Sequence, residues 1–204
     1  MNRRHLLALG VSGLFLGACS DKAAEAPASA FKGIDITGAP YADDFRLADH
    51  NGQMRTLADF RGKVVVIFFG YTQCPDVCPT SMAELAQAKQ LLGADGDRLQ
   101  GLFISVDPER DTPAIMKEYM ASFDPSFLAL HASPEELPEL AKRFKIYYKK
   151  VDGQTPTSYT MDHSAGSYLY DPQGRVRVYH RYASGAPSLA DDARILLAEP
   201  AAGG

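Results

Sequence analysis

The chain has little of what would commit it to nucleic acid, to a repeat architecture or to a membrane span. Its 204 residues carry 21 lysines and arginines against 25 aspartates and glutamates, a formal charge of −4 at pH 7. It lacks the basic surplus that neutralises a phosphate backbone, so no nucleic-acid partner is expected. No internal repeat or second core is evident, and a hydrophobic content of 46% suits one domain of ordinary size. Long apolar runs are missing too: the run over residues 6–18 is too short to cross a bilayer. Cysteine is scarce, with three copies at Cys19, Cys74 and Cys78.

What the amino terminus does have is a basic start, Asn2-Arg3-Arg4, followed by that short apolar run, the layout of a secretory signal. It ends in Leu16-Gly17-Ala18-Cys19, which resembles the lipobox of bacterial lipoproteins, where the cysteine is lipidated and becomes the first residue. The expected organisation is a signal peptide over 1–18, a flexible tether over 19–38 rich in Ala, Ser, Pro, Glu and Lys, and one folded domain over 39–200. The Arg3-Arg4 pair also resembles a twin-arginine export signal, which leaves the export route open. The expected location is the periplasmic side of a bacterial envelope, with membrane attachment through lipid. That compartment oxidises thiols. With Cys19 lipidated, Cys74 and Cys78 are the remaining pair, to be disulfide-bonded, metal-bound or kept reduced by a partner such as a periplasmic thiol reductant.

The pair lies in Cys74-Pro75-Asp76-Val77-Cys78-Pro79. Ahead of it, residues 63–70 form a continuous β-branched and aromatic run, the signature of a strand buried on both faces of an α/β sheet. Behind it, apolar Met82, Leu85, Ala86 and Leu92 among polar neighbours predict a helix that stops at Gly93, followed by a polar turn. The cysteines then sit where a strand's carboxyl end meets a helix's amino end. Free N–H groups and the helix dipole favour negative charge there, so one or both thiol pKa values are expected to be depressed.

Further along, residues 101–106 read as a second buried strand, ending in Asp107-Pro108-Glu109-Arg110-Asp111-Thr112-Pro113, where Asp111 or Thr112 suits a helix cap and Pro113 its first turn. Residues 127–130 read as a third strand, and Ser133 opens a helix running to Arg143. This alternation predicts parallel crossovers. A polar excursion at 152–157 precedes the segment 159–164; then two strands flank the turn Asp171-Pro172-Gln173-Gly174, and residues 189–198 form a closing amphipathic helix. Near the start, alternating residues around Asn51-Gly52 predict a small β-hairpin with a two-residue turn. The fold class is therefore α/β. A βαβ half followed by a ββα half resembles a thioredoxin-like fold, a central mixed sheet flanked by helices, here with an additional amino-terminal hairpin.

Three residues separate the two cysteines. On a helix, positions i and i+4 share a face with Cβ atoms about 5–6 Å apart, near enough for two sulfurs to grip one metal ion. A disulfide is equally open, its Cβ atoms approaching to about 3.5–4.5 Å, but so small a loop gains little stability from one. Of five histidines, His163 has the best claim to join the pair, because it lies in the region that faces the cysteine loop in a thioredoxin-like fold. His5 is in the leader, His50 in the hairpin turn, and His131 and His180 at strand ends. Two thiolates and an imidazole suit copper(I); structural zinc would want a fourth protein ligand and stands second. Asp107 is a candidate for the surroundings of such a centre. Helix capping accounts for Asp111, the first helical N–H groups for Asp76, and core burial for Met161.

Taken together, Gly70-Tyr71-Thr72-Gln73-Cys74-Pro75-Asp76-Val77-Cys78-Pro79, Asp107-Pro108-Glu109-Arg110-Asp111-Thr112 and Asp162-His163-Ser164 resemble, in order, the three signatures of the Sco/SenC family. The resemblance runs from Phe45 to the carboxyl terminus. It implies a thioredoxin-like domain on the outer face of the bacterial inner membrane that binds copper through Cys74, Cys78 and His163 and supports assembly of cytochrome c oxidase. Members deliver copper to the binuclear site of subunit II, or reduce that site's cysteines so that copper can enter. Many are held by an amino-terminal transmembrane helix, whereas this chain looks lipidated, which leaves open which membrane holds it. The rival reading is a periplasmic thiol–disulfide oxidoreductase with Cys74 and Cys78 as its catalytic pair, needing no histidine ligand.

Overall fold

The structure, a computed structural model, describes residues 30–155 and 158–200. The expected leader, Cys19 and the first part of the tether lie outside the described residues, as do Pro156 and Thr157 of the polar excursion. In chain order the elements are β1 (Ile34–Asp35), β2 (Leu47–Asp49), β3 (Met54–Arg55), β4 (Val64–Gly70), α1 (Val77–Leu91), β5 (Leu99–Ser105), α2 (Pro113–Ala121), β6 (Leu128–His131), α3 (Leu137–Arg143), β7 (Tyr148–Val151), β8 (Thr160–His163), β9 (Ser167–Tyr170), β10 (Val176–His180) and α4 (Ala186–Ala198). No helix among the described residues is long and apolar enough to cross a membrane.

Eight strands form one mixed sheet in the order β1-β10-β9-β4-β5-β6-β2-β3. β4 is buried along its whole length because it sits inside, parallel to β5 and antiparallel to β9. A strand covered on both faces has no use for polar alternation, which is why 64–69 is all Val, Ile and Phe. The units β4–α1–β5–α2–β6 and β9–β10–α4 realise the expected thioredoxin-like arrangement. α1 buries Met82, Leu85, Ala86 and Ala88 and packs against α4, while α2 packs against β6. The α2 amino end is capped as its sequence suggests: Pro113 occupies the first turn and Thr112 Oγ1 accepts from the Ile115 N–H. At Ser133, the residue expected to open the next helix, Glu136 accepts from the Ser133 N–H at 3.0 Å and its own N–H donates to Ser133 Oγ at 3.3 Å. The α-helix proper begins at Leu137.

Four features depart from the expectation. The folded part begins before residue 39: β1 pairs antiparallel with β10, and the N–H groups of Lys32 and Gly33 donate to the Asp192 carboxylate at 2.7 and 2.9 Å. These ties run largely through main-chain groups, which composition does not reveal. The amino-terminal hairpin is no appendage, since β2 pairs with β6 and continues the sheet. Its loop spans residues 50–53 rather than two residues; Asp49 Oδ1 organises it by accepting the N–H groups of Asn51 and Gln53, and Gly52 takes the positive φ of 81°. The expected polar turn after α1 is a 3-10 helix over Gly93–Arg98. Finally, β7 and β8 form a separate two-stranded antiparallel sheet, pairing Tyr148 with His163 across the polar excursion.

Candidate metal centre

The cysteine loop hangs from the carboxyl end of β4, is closed by a bond within itself and is tied to the turn that follows β5. The Val106 N–H donates to Gly70 O at 2.8 Å, and the Cys74 N–H to Tyr71 O at 3.2 Å. Asp111, fully buried, accepts from the Thr72 N–H at 3.1 Å and from the hydroxyls of Thr72 and Ser105, each at 2.6 Å. Helix α1 then starts at Val77, which puts Cys78 in its first turn and Cys74 just before it. Gly70 makes room for the inner sulfur: a Cβ there would lie 2.8 Å from Cys78 Sγ and 2.7 and 2.9 Å from the rings of Phe68 and Phe103.

His163 reaches the same place from β8. Its ring stands edge-on to Phe68 and Tyr71, with centroids 6.0 and 5.8 Å away. Nδ1 lies 2.9 Å from Ser164 O. A carbonyl oxygen only accepts, so Nδ1 carries the proton and Nε2 keeps its lone pair, aimed at Cys78 Sγ at 3.3 Å. Burial lowers the His163 pKa from its ordinary value against the opposing pull of the Ser164 carbonyl, which favours the neutral ring a metal requires. The Cys78 N–H points at Cys74 Sγ at 3.4 Å. The three ligand atoms lie within 4.8 Å of one another, and among the described residues no carboxylate or second histidine joins the group. Bonds of about 2.0–2.3 Å would place three ligands around one ion at nearly that spacing. The centre opens into a cleft of about 310 Å³ lined by Tyr71, Cys74, Val77, Met161 and His163. A larger cleft of about 630 Å³ elsewhere is lined by Arg177 and Glu199, whose charges already pair with each other.

The structure thus brings Cys74, Cys78 and His163 together and leaves the other candidates aside. Asp107 is buried but reaches the centre only indirectly, through Arg110 and the Tyr159 hydroxyl, which donates to it at 2.7 Å. Asp111, which helix capping was expected to explain, instead anchors the cysteine loop; the cap is Thr112. Asp76 is exposed and its side chain makes no capping bond. Met161 is buried and lines the cleft on the same face of β8 as His163. His50 Nδ1 accepts from the Ala129 N–H, and His180 pairs with Asp192. The thiol expectation fails for Cys78: burial pushes its pKa well up, and the neighbouring Cys74 adds to this. A dipole effect of about 0.3–1 kcal/mol in a first turn is too small to offset the removal of a thiolate from water. Gly70 and Asp111 are the functional positions the sequence reading missed; the one hint was their place inside the quoted motifs.

The comparisons agree with this geometry. A family model described as SCO1/SenC matches residues 35–198. The SCO2-like protein of Rickettsia felis is 32% identical over 182 residues, 89% of this chain and 88% of that one. The mitochondrial SCO2 homolog of Bos taurus is 39% identical over 153 residues, 74% of this chain, and the match spans 58% of the bovine protein's length. Among solved structures, ScoI of Bradyrhizobium japonicum with copper bound superposes with a TM-score of 0.68 at 42% identity, covering 75% of this chain and 97% of that one.

Proposed function

The chain belongs to the SCO1/SenC family, and on that footing we propose that it is a copper-binding metallochaperone that assists assembly of cytochrome c oxidase. Copper is its cargo, held by Cys74, Cys78 and His163, and the destination is the binuclear copper site of subunit II. The observation that carries the reading is the convergence of two sulfurs and one proton-free imidazole nitrogen within 4.8 Å at the foot of an open cleft. Two thiolates and an imidazole suit copper(I), and a site with few protein ligands can pass its ion on by ligand exchange. Elemental analysis of the reduced protein should give one copper per chain. His163→Ala should keep the fold and lose affinity; unchanged stoichiometry and affinity in that variant would overturn the assignment.

Transfer of copper from the loaded protein to an isolated subunit II domain tests the destination, and failure there with intact copper binding would point to another client. The lipid anchor on Cys19, and with it a place on the periplasmic side of the envelope, rests on the leader. Mass spectrometry of the amino-terminal peptide from detergent-extracted protein checks it, and an unmodified Cys19 would overturn it.

A thiol–disulfide oxidoreductase is the second reading, favoured by the half-buried Cys74 beside the fully buried Cys78. In that reaction the Cys74 thiolate attacks a client disulfide, forming a mixed disulfide and releasing one client thiolate. Cys78 then closes the Cys74–Cys78 disulfide and releases the second thiolate, so the client is reduced by two electrons. Trapping of a client on Cys78→Ser, with no copper retained by the parent protein, would select this reading.

A further inference from the structure

Arg110 belongs neither to the ligand set nor to the apolar core, yet its guanidinium is wedged between the two elements that supply the ligands. Nε bonds the Asp107 carboxylate, and Nη1 donates to Tyr159 O at 2.9 Å and to Gln73 Oε1 at 3.2 Å. The guanidinium lies 3.5 Å from the Tyr159 ring centroid and 5.7 Å from that of Tyr71. Gln73 adjoins Cys74, and the Tyr71 ring stands against His163. Tyr159 immediately precedes β8. One side chain therefore touches the cysteine loop on one side and the root of the histidine strand on the other.

The hairpin needs such a grip. Among the described residues β7 and β8 pair only with each other, and three of the four β7 residues are exposed. An element with so few buried contacts opens locally at low cost unless something holds it. Three of its polar ties to the body converge on one short turn, Tyr159 OH to Asp107, Arg110 to Tyr159 O, and the exposed pair of Lys150 with Glu109 at 2.9 Å, while the main chain of Met161 bonds the Tyr71 hydroxyl. Within that turn Arg110 alone also reaches the cysteine side, through Gln73 and Tyr71. A planar fork that stacks and donates along two edges does this; an ammonium, a point charge without a plane, does not. The arrangement even leaves Arg110 Nη2 buried without a partner, a cost a packing role could have avoided with an apolar side chain.

We propose that Arg110 is a positioning residue that clamps the β7–β8 hairpin onto the cysteine loop, so that His163 stands beside Cys74 and Cys78 before any ion arrives. Preorganisation of this kind raises affinity by removing the ordering cost from the binding step. The proposal rests on the copper-carrier reading only for its probe.

The test compares full-length protein with Arg110→Gln, Arg110→Lys, His163→Ala and the double variant Arg110→Gln/His163→Ala. Amide exchange of metal-free protein is followed in β8 and β4, and copper(I) affinity is measured by competition with a chelator. Exchange in β8 should quicken in both Arg110 variants while β4 stays protected, and copper(I) should bind about tenfold more weakly, the range for lost outer partners of a metal ligand. Lysine should not rescue. In the His163→Ala background, Arg110→Gln should cost nothing further, because the clamp acts through the imidazole. Unchanged β8 exchange in Arg110→Gln, or a copper penalty that persists in full without His163, would overturn the proposal. If the parent protein binds no copper(I), the carrier reading falls and the exchange comparison alone decides the clamp.

Discussion

Cys78 and His163 meet at 3.3 Å, but the elements behind them are built differently. Cys78 stands in the first turn of a helix launched from β4, whose seven residues are all buried between two neighbouring strands. His163 ends a four-residue strand that pairs with a single, largely exposed partner. On the sulfur side Cys78 is set by the core and tightly surrounded, as the close neighbours of Gly70 show. The imidazole side is set by a turn, a few hydrogen bonds and stacked rings. Such a pairing would suit a carrier, because one half would fix an ion while the other could open to let it leave.

The comparison breaks most visibly if the core half proves soft. Phe68 is 1% exposed and packs its ring between Phe103 and His163. Phe68→Ala should destabilise the protein by about 3–5 kcal/mol, read from denaturant unfolding, with the sulfur–imidazole geometry lost as well. A cost below about 1 kcal/mol would mean that the core does not set the sulfur side.

Acid should also act on the body of the domain. Burial alone would raise the Asp192 pKa, but His180 and the N–H groups of Lys32 and Gly33 bring it below its ordinary 3.8. Asp49 moves the same way, its burial outweighed by Gln53 and Arg55. A carboxylate depressed by folding contributes stability above its unfolded value and loses it as pH falls through the lower folded value. Asp111 has the opposite sign: burial raises it, and its hydroxyl donors do not compensate. Acid therefore removes the Asp192 and Asp49 contributions, whereas protonation of Asp111, which its burial favours, takes no stability from the fold. Unfolding free energy should begin to fall as pH drops through the ordinary histidine value of 6.5, because burial keeps His163 and His50 neutral while the unfolded chain takes up protons, and should decline further below about pH 4 as the two carboxylates protonate. In Asp192→Ala, which strands a buried imidazole and the N–H groups of Lys32 and Gly33, the loss at neutral pH should be about 1–3 kcal/mol, and part of the acid decline should vanish. A decline unchanged in that variant would remove Asp192 from the account.

Gly70→Ala probes the boundary between the halves. Its Cβ would crowd Cys78 Sγ and two aromatic rings, for about 1–3 kcal/mol of overpacking. Copper(I) affinity should fall with it, since the displaced sulfur belongs to the proposed ligand set. Full stability with full affinity would show that the loop adjusts more than its packing suggests.

How much of this could be read beforehand follows from which forces are local. The buried run of β4, the start of α1 between the cysteines, the Thr112–Pro113 cap and the Asp171–Gly174 turn are written in neighbouring residues, and all appear where expected. The β7–β8 pairing was not legible, because its strands are short and polar and meet across a long excursion. β1 stayed hidden for another reason: Lys32 and Gly33 are held through their main-chain N–H groups. Cys78 shows the same limit in electrostatics. The helix terminus that favours a thiolate is visible in sequence, whereas the burial that disfavours it exists only after folding. Asp111 was hidden by its position, since a carboxylate before Thr112-Pro113 reads as a cap until Thr72 and Ser105 are seen around it.

The smallest expected effect falls on the hairpin itself. Lys149 lies on β7 opposite Asp162, and both are exposed. A cross-strand charge pair in water contributes little, because solvent screens it and two long side chains lose freedom to form it. Lys149→Ala should therefore change stability by less than about 0.5 kcal/mol and leave β8 exchange as it was. Arg110 is also a cation near this hairpin, but it sits in the crevice between ring faces rather than on the outer surface. If Lys149→Ala loosened β8 as much as Arg110→Gln, general charge balance would be holding the histidine in place. If only the Arg110 variant does so, the grip lies in one oriented side chain, and the adjustable half of the site has a definite hinge.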